Sequence, residues 1–395
     1  MKIMLACVSK MVGDTGGLAK VTCAMANEFI NRGHEVSLVY DDEHVGEFFY
    51  YVCDEVRRYN LRECADGSII KYPWYLKILR EILRSGSKIK ARTVNNAFNE
   101  KFLVENMRRY LQKENPDIVI TSQPAASKLI LCDIKAGVPV ITMSHCDPED
   151  YFHTYPKAEL PSLTKSAVCQ VLLPPFEQHI KNHDPEAKTI TIGNAIPQYD
   201  FQAELDKDKP VHKIIFVGRL TKNHKRPHLL ISAFAKLAAK YPNWQVELWG
   251  AKDRPAYYKE LEHIVSSNHL EKQVFLKGTT DKVGEKLKEA DIYAFPSAYE
   301  GFPLALGEAM SAGLPSIGYK NCPAVNEMII DGKTGILCDE GVDAFAVGLD
   351  KLMSDQEMRV RMGKAAKEAM LEYAPKRVWD KWEELVEKVV KGNGR

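Results

Sequence analysis

Read for the alternation of apolar and polar positions, the first half of the chain predicts strands at 2–8, 35–40, 117–121 and 138–143, with helices at 18–32 and 124–136 between them. In the first of these helices Leu18, Val21, Met25 and Phe29 recur at helical spacing and Gly33 closes it, so the opening segment is one βαβ unit. Residues 198–212, QYDFQAELDKDKPVH, are polar and without period. An apolar strand at 213–217 then restarts the scheme, with helices at 227–240, 254–267 and 303–312 and strands at 245–249, 273–276, 291–295 and 315–319. Each half therefore predicts an α/β, doubly wound parallel sheet of the Rossmann type, with its ligand beyond the carboxyl ends of the strands. Beyond residue 342 the chain is helical to its end, where Val378, Trp379, Trp382, Leu385, Val386 and Val389 form an apolar face that needs a partner. The expected organisation is a domain at 1–197, a linker at 198–212, a domain at 213–372 and a terminal helix at 373–395.

A length of 395 residues agrees with two hydrophobic cores rather than one. The formal net charge of +1 gives no global attraction to nucleic acid. Nine cysteines without a CxxC pair predict free thiols in a reducing compartment. The opening MKIMLACV is too short for a signal peptide and no later apolar run could span a bilayer, so the expected location is cytoplasmic. One segment departs from this neutral background: residues 71–92 carry seven basic residues against a single acid, Glu81. As a helix from about Trp74 to Arg84 it places Tyr75, Ile78, Leu79 and Ile82 on one face and Lys77, Arg80 and Arg84 on another. Such a helix either packs on its own domain with a solvated basic edge or lies in the plane of an anionic membrane surface.

The candidate chemistry clusters in the second half. Arg219 follows the strand at 213–217, and Lys225 stands just before a helix entered at Pro227, so both side chains can reach a diphosphate. After the strand at 291–295 comes PSAYEGFPLALGEAMSAG. Here Pro303 suits the first helical position, and the backbone N–H groups of Phe302, Leu304 and Ala305 are expected to be free for an anion. Glu300 and Glu308 can look into one crevice, and a carboxylate accepts two hydrogen bonds, as a sugar diol requires.

The spacing Glu300-x7-Glu308 within EGFPLALGEAM, together with VGRL and Lys225, resembles the donor site of the retaining family 4 glycosyltransferases. The resemblance implies the GT-B fold, two Rossmann-like domains facing across a cleft, with the terminal helix returning to the first. It assigns the donor pyrophosphate to Arg219 and Lys225, the ribose hydroxyls to Glu308 and the donor sugar to Glu300. The loop LTKNH before Lys225 is one residue longer than the family's commonest form, which leaves Lys222 and Arg226 as alternatives. In the first half Gly16 and Gly17 match the family's glycine pair near the donor phosphates, and His145 matches a histidine that meets the reacting sugar from the acceptor side. Thr280 matches a position that contacts the base through its backbone. The implied activity is metal-independent transfer, with retention, of a hexose or N-acetylhexosamine from a nucleotide-diphosphate sugar, UDP by family habit, to a glycan or lipid-linked acceptor. The sugar nucleotide is a substrate and no cofactor is called for.

Two other readings share the architecture: a sugar-nucleotide 2-epimerase, which lacks the EGFPLALGEAM type of segment, and an inactive partner subunit of another transferase. No metal site follows from the sequence. Asp206-Lys207-Asp208 has the DxD form but sits in a polar stretch away from a strand end, and Asp41-Asp42-Glu43 has no His or Cys at ligand spacing. The Gly-Lys-Thr within 331–335 has Glu327 where a phosphate-binding loop needs glycine.

Overall fold

The computed structural model describes residues 1–64 and 66–392 and divides into two units, Met1–Gly193 with the chain from Trp379 onward, and Asn194–Val378. The first unit carries β1 (Lys2–Cys7), β2 (Glu35–Tyr40), β3 (Arg57–Asn60), β4 (Ile118–Thr121), β5 (Val140–Met143), β6 (Val168–Val171) and β7 (Thr189–Thr191). They form one sheet in the order β3-β2-β1-β4-β5-β6-β7, every pairing parallel. The second unit carries β8 (His212–Val217), β9 (Trp244–Trp249), β10 (Val274–Gly278), β11 (Ile292–Phe295), β12 (Ser316–Tyr319) and β13 (Gly335–Cys338). Their order, β10-β9-β8-β11-β12-β13, is again wholly parallel. Strands covered by helices on both faces read as unbroken apolar runs, and β4, β5, β11 and β12 are buried at every position. In each sheet the strand order reverses beside the first strand, between β1 and β4 and between β8 and β11. That reversal opens a crevice at the carboxyl ends.

Four strands escaped the sequence pattern: β3, β6, β7 and β13. β3, RRYN, has no apolar alternation, and β7 spans three half-buried residues, so neither leaves a periodic trace. The helix expected at 124–136 is an α-helix, Pro124–Lys128, followed by a π-helical turn, Leu129–Ile134, which ends where Lys135 takes a φ of +55°. The helix at 227–240 is regular only over Pro227–Ala235.

Residues 198–212 are not a linker but an integral part of the second unit. Ala203 and Leu205 are buried, Ala203 N–H donates to Ala312 O at 2.7 Å, and Gln202 Nε2 donates to Gly313 O at 3.0 Å. The polar side chains give this stretch a solvated look, while its backbone groups and two apolar side chains are committed to packing. The terminal helix, Pro375–Gly392, buries Trp379, Trp382, Leu385 and Val386. Within the first unit it is pinned by Asp380 to Arg32 Nη2 at 2.9 Å and by Glu383 to His34 Nε2 at 2.9 Å.

Backbone hydrogen bonds stitch together the loops after β8, β9 and β10: Gly218 N–H to Trp249 O at 2.9 Å, and Gly250 N–H to Gly278 O at 2.8 Å. A Cβ on Gly250 would lie 1.8 Å from the Gly218 carbonyl oxygen, so only glycine lets these loops meet. Gly250→Ala is therefore expected to lower the unfolding free energy by about 1–3 kcal/mol, as overpacking does. A urea midpoint unchanged from wild type would show that the loop of Gly218 yields without cost.

Candidate active site

In the second unit the loops after β8 and β11 flank the point where the strand order reverses, and they are tied to each other by charge. Lys225 Nζ lies 2.6 Å from Glu300 Oε1, with Lys225 itself held by its N–H to Thr221 Oγ1 at 2.9 Å. Its ammonium also stands 4.7 Å from the centroid of Phe295, at the end of β11. Of the three basic residues that the loop length leaves open, Lys225 is the one beside Glu300. Lys222 faces outward to Glu260 at 2.8 Å, and Arg226 serves as a strut. The Arg226 backbone is left-handed, with φ +50°, and its guanidinium donates to Pro296 O and Ser297 O at 2.9 and 3.0 Å and pairs with Glu340.

Glu300 and Glu308 are each only 8% exposed. His224 Nε2 lies 3.4 Å from Glu300 Oε1, and Ser297 Oγ donates to the same oxygen. Burial works to raise the Glu300 pKa, but His224, the Lys225 charge and the Lys225 and Ser297 hydrogen bonds outweigh it, so the carboxyl sits below its usual range. All three partners approach Oε1 and none engages Oε2. His224 stacks on Tyr299, centroids 4.4 Å apart, which fixes the loop around Glu300. The buried Tyr293 phenol donates to Val217 O at 3.1 Å, and its pKa is raised well above normal by burial and then by the charges of Glu300 and Glu308. Tyr199 is pushed up to about 12 by burial and by Glu308. The two carboxylates therefore act on one small region at the carboxyl ends of β8 and β11.

The helix after this loop is Leu304–Ser311, one residue shorter at its start than Pro303 suggested. Pro303 is the flanking cap residue, with ψ +84°, and its carbonyl accepts the first intrahelical bond from Gly307 N–H at 3.0 Å. Leu304 and Ala305 accordingly head the helix with no intrahelical acceptor for their N–H groups. Phe302 is buried against Tyr373 at 5.1 Å. Arg219 is exposed and makes no side-chain hydrogen bond or ion pair among the described residues. Thr280 follows β10 and accepts the Lys282 N–H through its hydroxyl at 3.0 Å. The residues that sequence reasoning missed are those holding Glu300 in place: His224 and Ser297. Their only trace was position, His224 directly beside Lys225.

In the first unit Gly16 caps the helix Gly17–Asn31 with extended backbone, φ −72° and ψ 158°, and its N–H donates to Asp14 Oδ1 at 3.1 Å. A Cβ on Gly16 would press on that carboxylate at 3.3 Å. His145 lies two residues beyond β5, and its enclosed Nε2 has no hydrogen-bond partner. Burial pushes its pKa down to about 4, so the imidazole is neutral near pH 7. Among the described residues no three His, Cys, Asp or Glu side chains converge to hold a metal ion, and no helix is long and apolar enough to cross a membrane.

Comparison with known proteins assigns both units. Residues 15–172 match the family described as Glycosyltransferase Family 4, and residues 197–369 match Glycosyl transferases group 1. Each unit thus carries a glycosyltransferase domain, and the two parallel-sheet units have the GT-B fold. An uncharacterised glycosyltransferase of Haemophilus influenzae is 26% identical over 44% of this chain and 48% of its own length. The amylovoran biosynthesis glycosyltransferase AmsD of Erwinia amylovora is 24% identical over 53% of this chain and 60% of its own. The chain thus spans about half of the length of these curated relatives. A structure of a Staphylococcus aureus TarM mutant, in complex with fondaparinux, alpha-GlcNAc-glycerol and UDP, shares the fold at TM-score 0.74 and 16% identity, covering 98% of this chain and all of that one.

The lowered pKa of Glu300 has a consequence for stability. A carboxyl whose folded pKa is depressed adds stability that is complete above its unfolded pKa, about 4.3, and is lost as pH falls through the folded value. Glu300→Gln should therefore flatten the acid limb of the stability curve, and Lys225→Ala should cost about 1–3 kcal/mol near pH 7 by leaving a buried carboxylate underpaired. Chemical denaturation from pH 7 to pH 3 measures both. Acid limbs that superimpose for wild type and Glu300→Gln would remove the ion pair from the account.

Proposed function

We propose that the chain transfers a hexose or N-acetylhexosamine from a UDP-sugar to a glycan or lipid-linked acceptor in surface polysaccharide or glycoconjugate synthesis, with retention and without a metal. The Lys225–Glu300 pair at the strand-order reversal, beside the unpaired Arg219, is the observation that carries this reading. Arg219, Lys225 and the N–H groups of Phe302, Leu304 and Ala305 bind the diphosphate and take up its growing charge as it leaves. Glu308 holds the ribose diol. Glu300 offers Oε2 to the donor sugar while Oε1 stays with Lys225. The acceptor hydroxyl attacks on the face the diphosphate leaves: its oxygen bonds to the anomeric carbon, the bonding electrons depart with the phosphate, and the proton passes to a phosphate oxygen. Gly16 and Gly17 admit the donor phosphates, Thr280 lies at the base, and the neutral His145 belongs to the acceptor side.

The UDP in the TarM complex supports the base, and the name of the amylovoran enzyme supports polysaccharide synthesis. The helix Trp74–Gly86 supports contact with an anionic membrane surface from the cytoplasmic side, since it buries no residue and leaves Trp74, Ile78 and Ile82 at 73%, 52% and 64% exposure.

Glu308→Ala should weaken calorimetric binding of free UDP, whereas Glu300→Ala should leave UDP affinity nearly intact and lower turnover. Arg219→Ala should cost about 1.5–3 kcal/mol, roughly ten- to a hundred-fold in kcat/KM, with the fold retained. Equal losses of UDP affinity in both glutamate variants would contradict their separate roles, and a strict need for Mg²⁺ or Mn²⁺ after EDTA treatment would overturn the metal-free reading.

His145→Ala should lower kcat more than it weakens UDP-sugar binding. Normal turnover in that variant would make His145 a structural residue.

A further inference from the structure

Beside the basic helix the first unit has a half-open cavity of about 400 Å³ whose lining includes Arg80, Arg84, Lys88, Arg92, Asn95 and Tyr155 and holds no carboxylate. Arg80, Arg92, Asn95 and Tyr155 also line an adjoining cavity of about 410 Å³. That second cavity reaches Val8, Asp41 and Gln123, just past the carboxyl ends of β1, β2 and β4, and so lies at the strand-order reversal of the first sheet.

Few acids answer these cations. Glu81 is shared between Arg80 at 3.1 Å and Arg84 at 3.7 Å. The side chain of Glu159, wholly buried, pairs with Arg92 Nε at 2.8 Å and holds that guanidinium 3.3 Å from the centroid of the Tyr155 ring. Lys88 has no ion pair among the described residues. A carboxylate-free cavity with this excess of positive charge favours a compact dianion, and arginine forks match phosphate oxygens. Ile78 and Ile82, on the same helix as Arg80 and Arg84, stand exposed.

We propose that the cavity lined by Arg80, Arg84, Lys88 and Arg92 binds a phosphate or diphosphate group carried by the acceptor, next to the crevice that takes the acceptor's reacting end. The proposal deepens the reading above and rests on it only in calling this ligand the acceptor. The phosphate group is the shared chemistry of a lipid-linked acceptor and a soluble phosphorylated one.

The test uses the full chain carrying Arg219→Ala and Lys225→Ala, so that the second unit no longer offers its diphosphate contacts. Inorganic pyrophosphate, titrated calorimetrically at low salt, should bind this protein, and adding Arg84→Gln with Lys88→Gln should weaken binding at least tenfold. Both residues are exposed, so the melting temperature should hold, and the charge-preserving Arg84→Lys with Lys88→Arg should restore affinity. Failure of pyrophosphate to bind, or an affinity untouched by the glutamine pair, overturns the proposal whatever UDP does in wild type. Sedimentation with phosphatidylglycerol/phosphatidylcholine vesicles separates the sources. If Ile78→Ser with Ile82→Ser releases the protein from vesicles while pyrophosphate binding persists, a lipid-linked phosphate is favoured. Pyrophosphate binding without vesicle binding in wild type favours a soluble phosphorylated acceptor. Vesicle binding that depends on Arg84 and Lys88 without any pyrophosphate binding assigns these cations to a bilayer surface and refutes the pocket.

Discussion

The ion pair between Lys225 and Glu300 joins the two loops on which the second unit's chemistry depends. Those loops leave neighbouring strands, β8 and β11, at the point where the order of the sheet reverses. An ammonium and a carboxylate brought together out of water must satisfy each other, and here the carboxylate is also held by His224 and Ser297. The pair does more than stabilise. It orients a charged nitrogen toward the crevice while fixing one oxygen of Glu300 and leaving the other available. Arg226, spanning from the start of its helix to the carbonyls of Pro296 and Ser297, keeps the same two loops from separating. Gly250 allows the loop of Gly218 to close down on this arrangement.

The first unit is organised differently. Its crevice holds an ion pair of its own, Arg62 with Asp41 and Glu43, beside an underpaired group of cations, and past β5 stands a neutral histidine whose Nε2 is enclosed without a partner. On the proposed reading, the donor diphosphate meets fixed, dehydrated charge in the second unit and the acceptor a more open surface in the first. The exposed apolar face of the helix Trp74–Gly86 extends that surface outward.

Much of this was legible in the sequence, for physical reasons. Buried parallel strands leave continuous apolar runs, so β1, β2, β5, β8, β11 and β12 stood out, while the short β3 and β7 did not. Arg219, Lys225 and Glu300 were visible because they lie in loops between strand ends and helices, and Glu308 by its spacing from Glu300 within the helix that follows. His224 and Ser297 were not, and Arg226 was read only as an alternative to Lys225, since a residue that positions another leaves no spacing rule of its own. The stretch 198–212 was misread because polarity reports what side chains prefer, and its place in the second unit is decided by backbone hydrogen bonds and the burial of Ala203 and Leu205. The helix 74–86 was recognised as amphipathic, but whether its apolar face was covered depended on tertiary structure alone.

The central claim, that the Lys225–Glu300 pair sets up a donor site in which Arg219 and Lys225 take the diphosphate, is tested most directly by a crystal structure of the chain with UDP. The account expects the diphosphate against Arg219 and Lys225, with Glu308 hydrogen-bonded to the ribose hydroxyls and the Lys225–Glu300 contact retained. UDP bound away from these loops, or a diphosphate contacted by neither Arg219 nor Lys225, would contradict it.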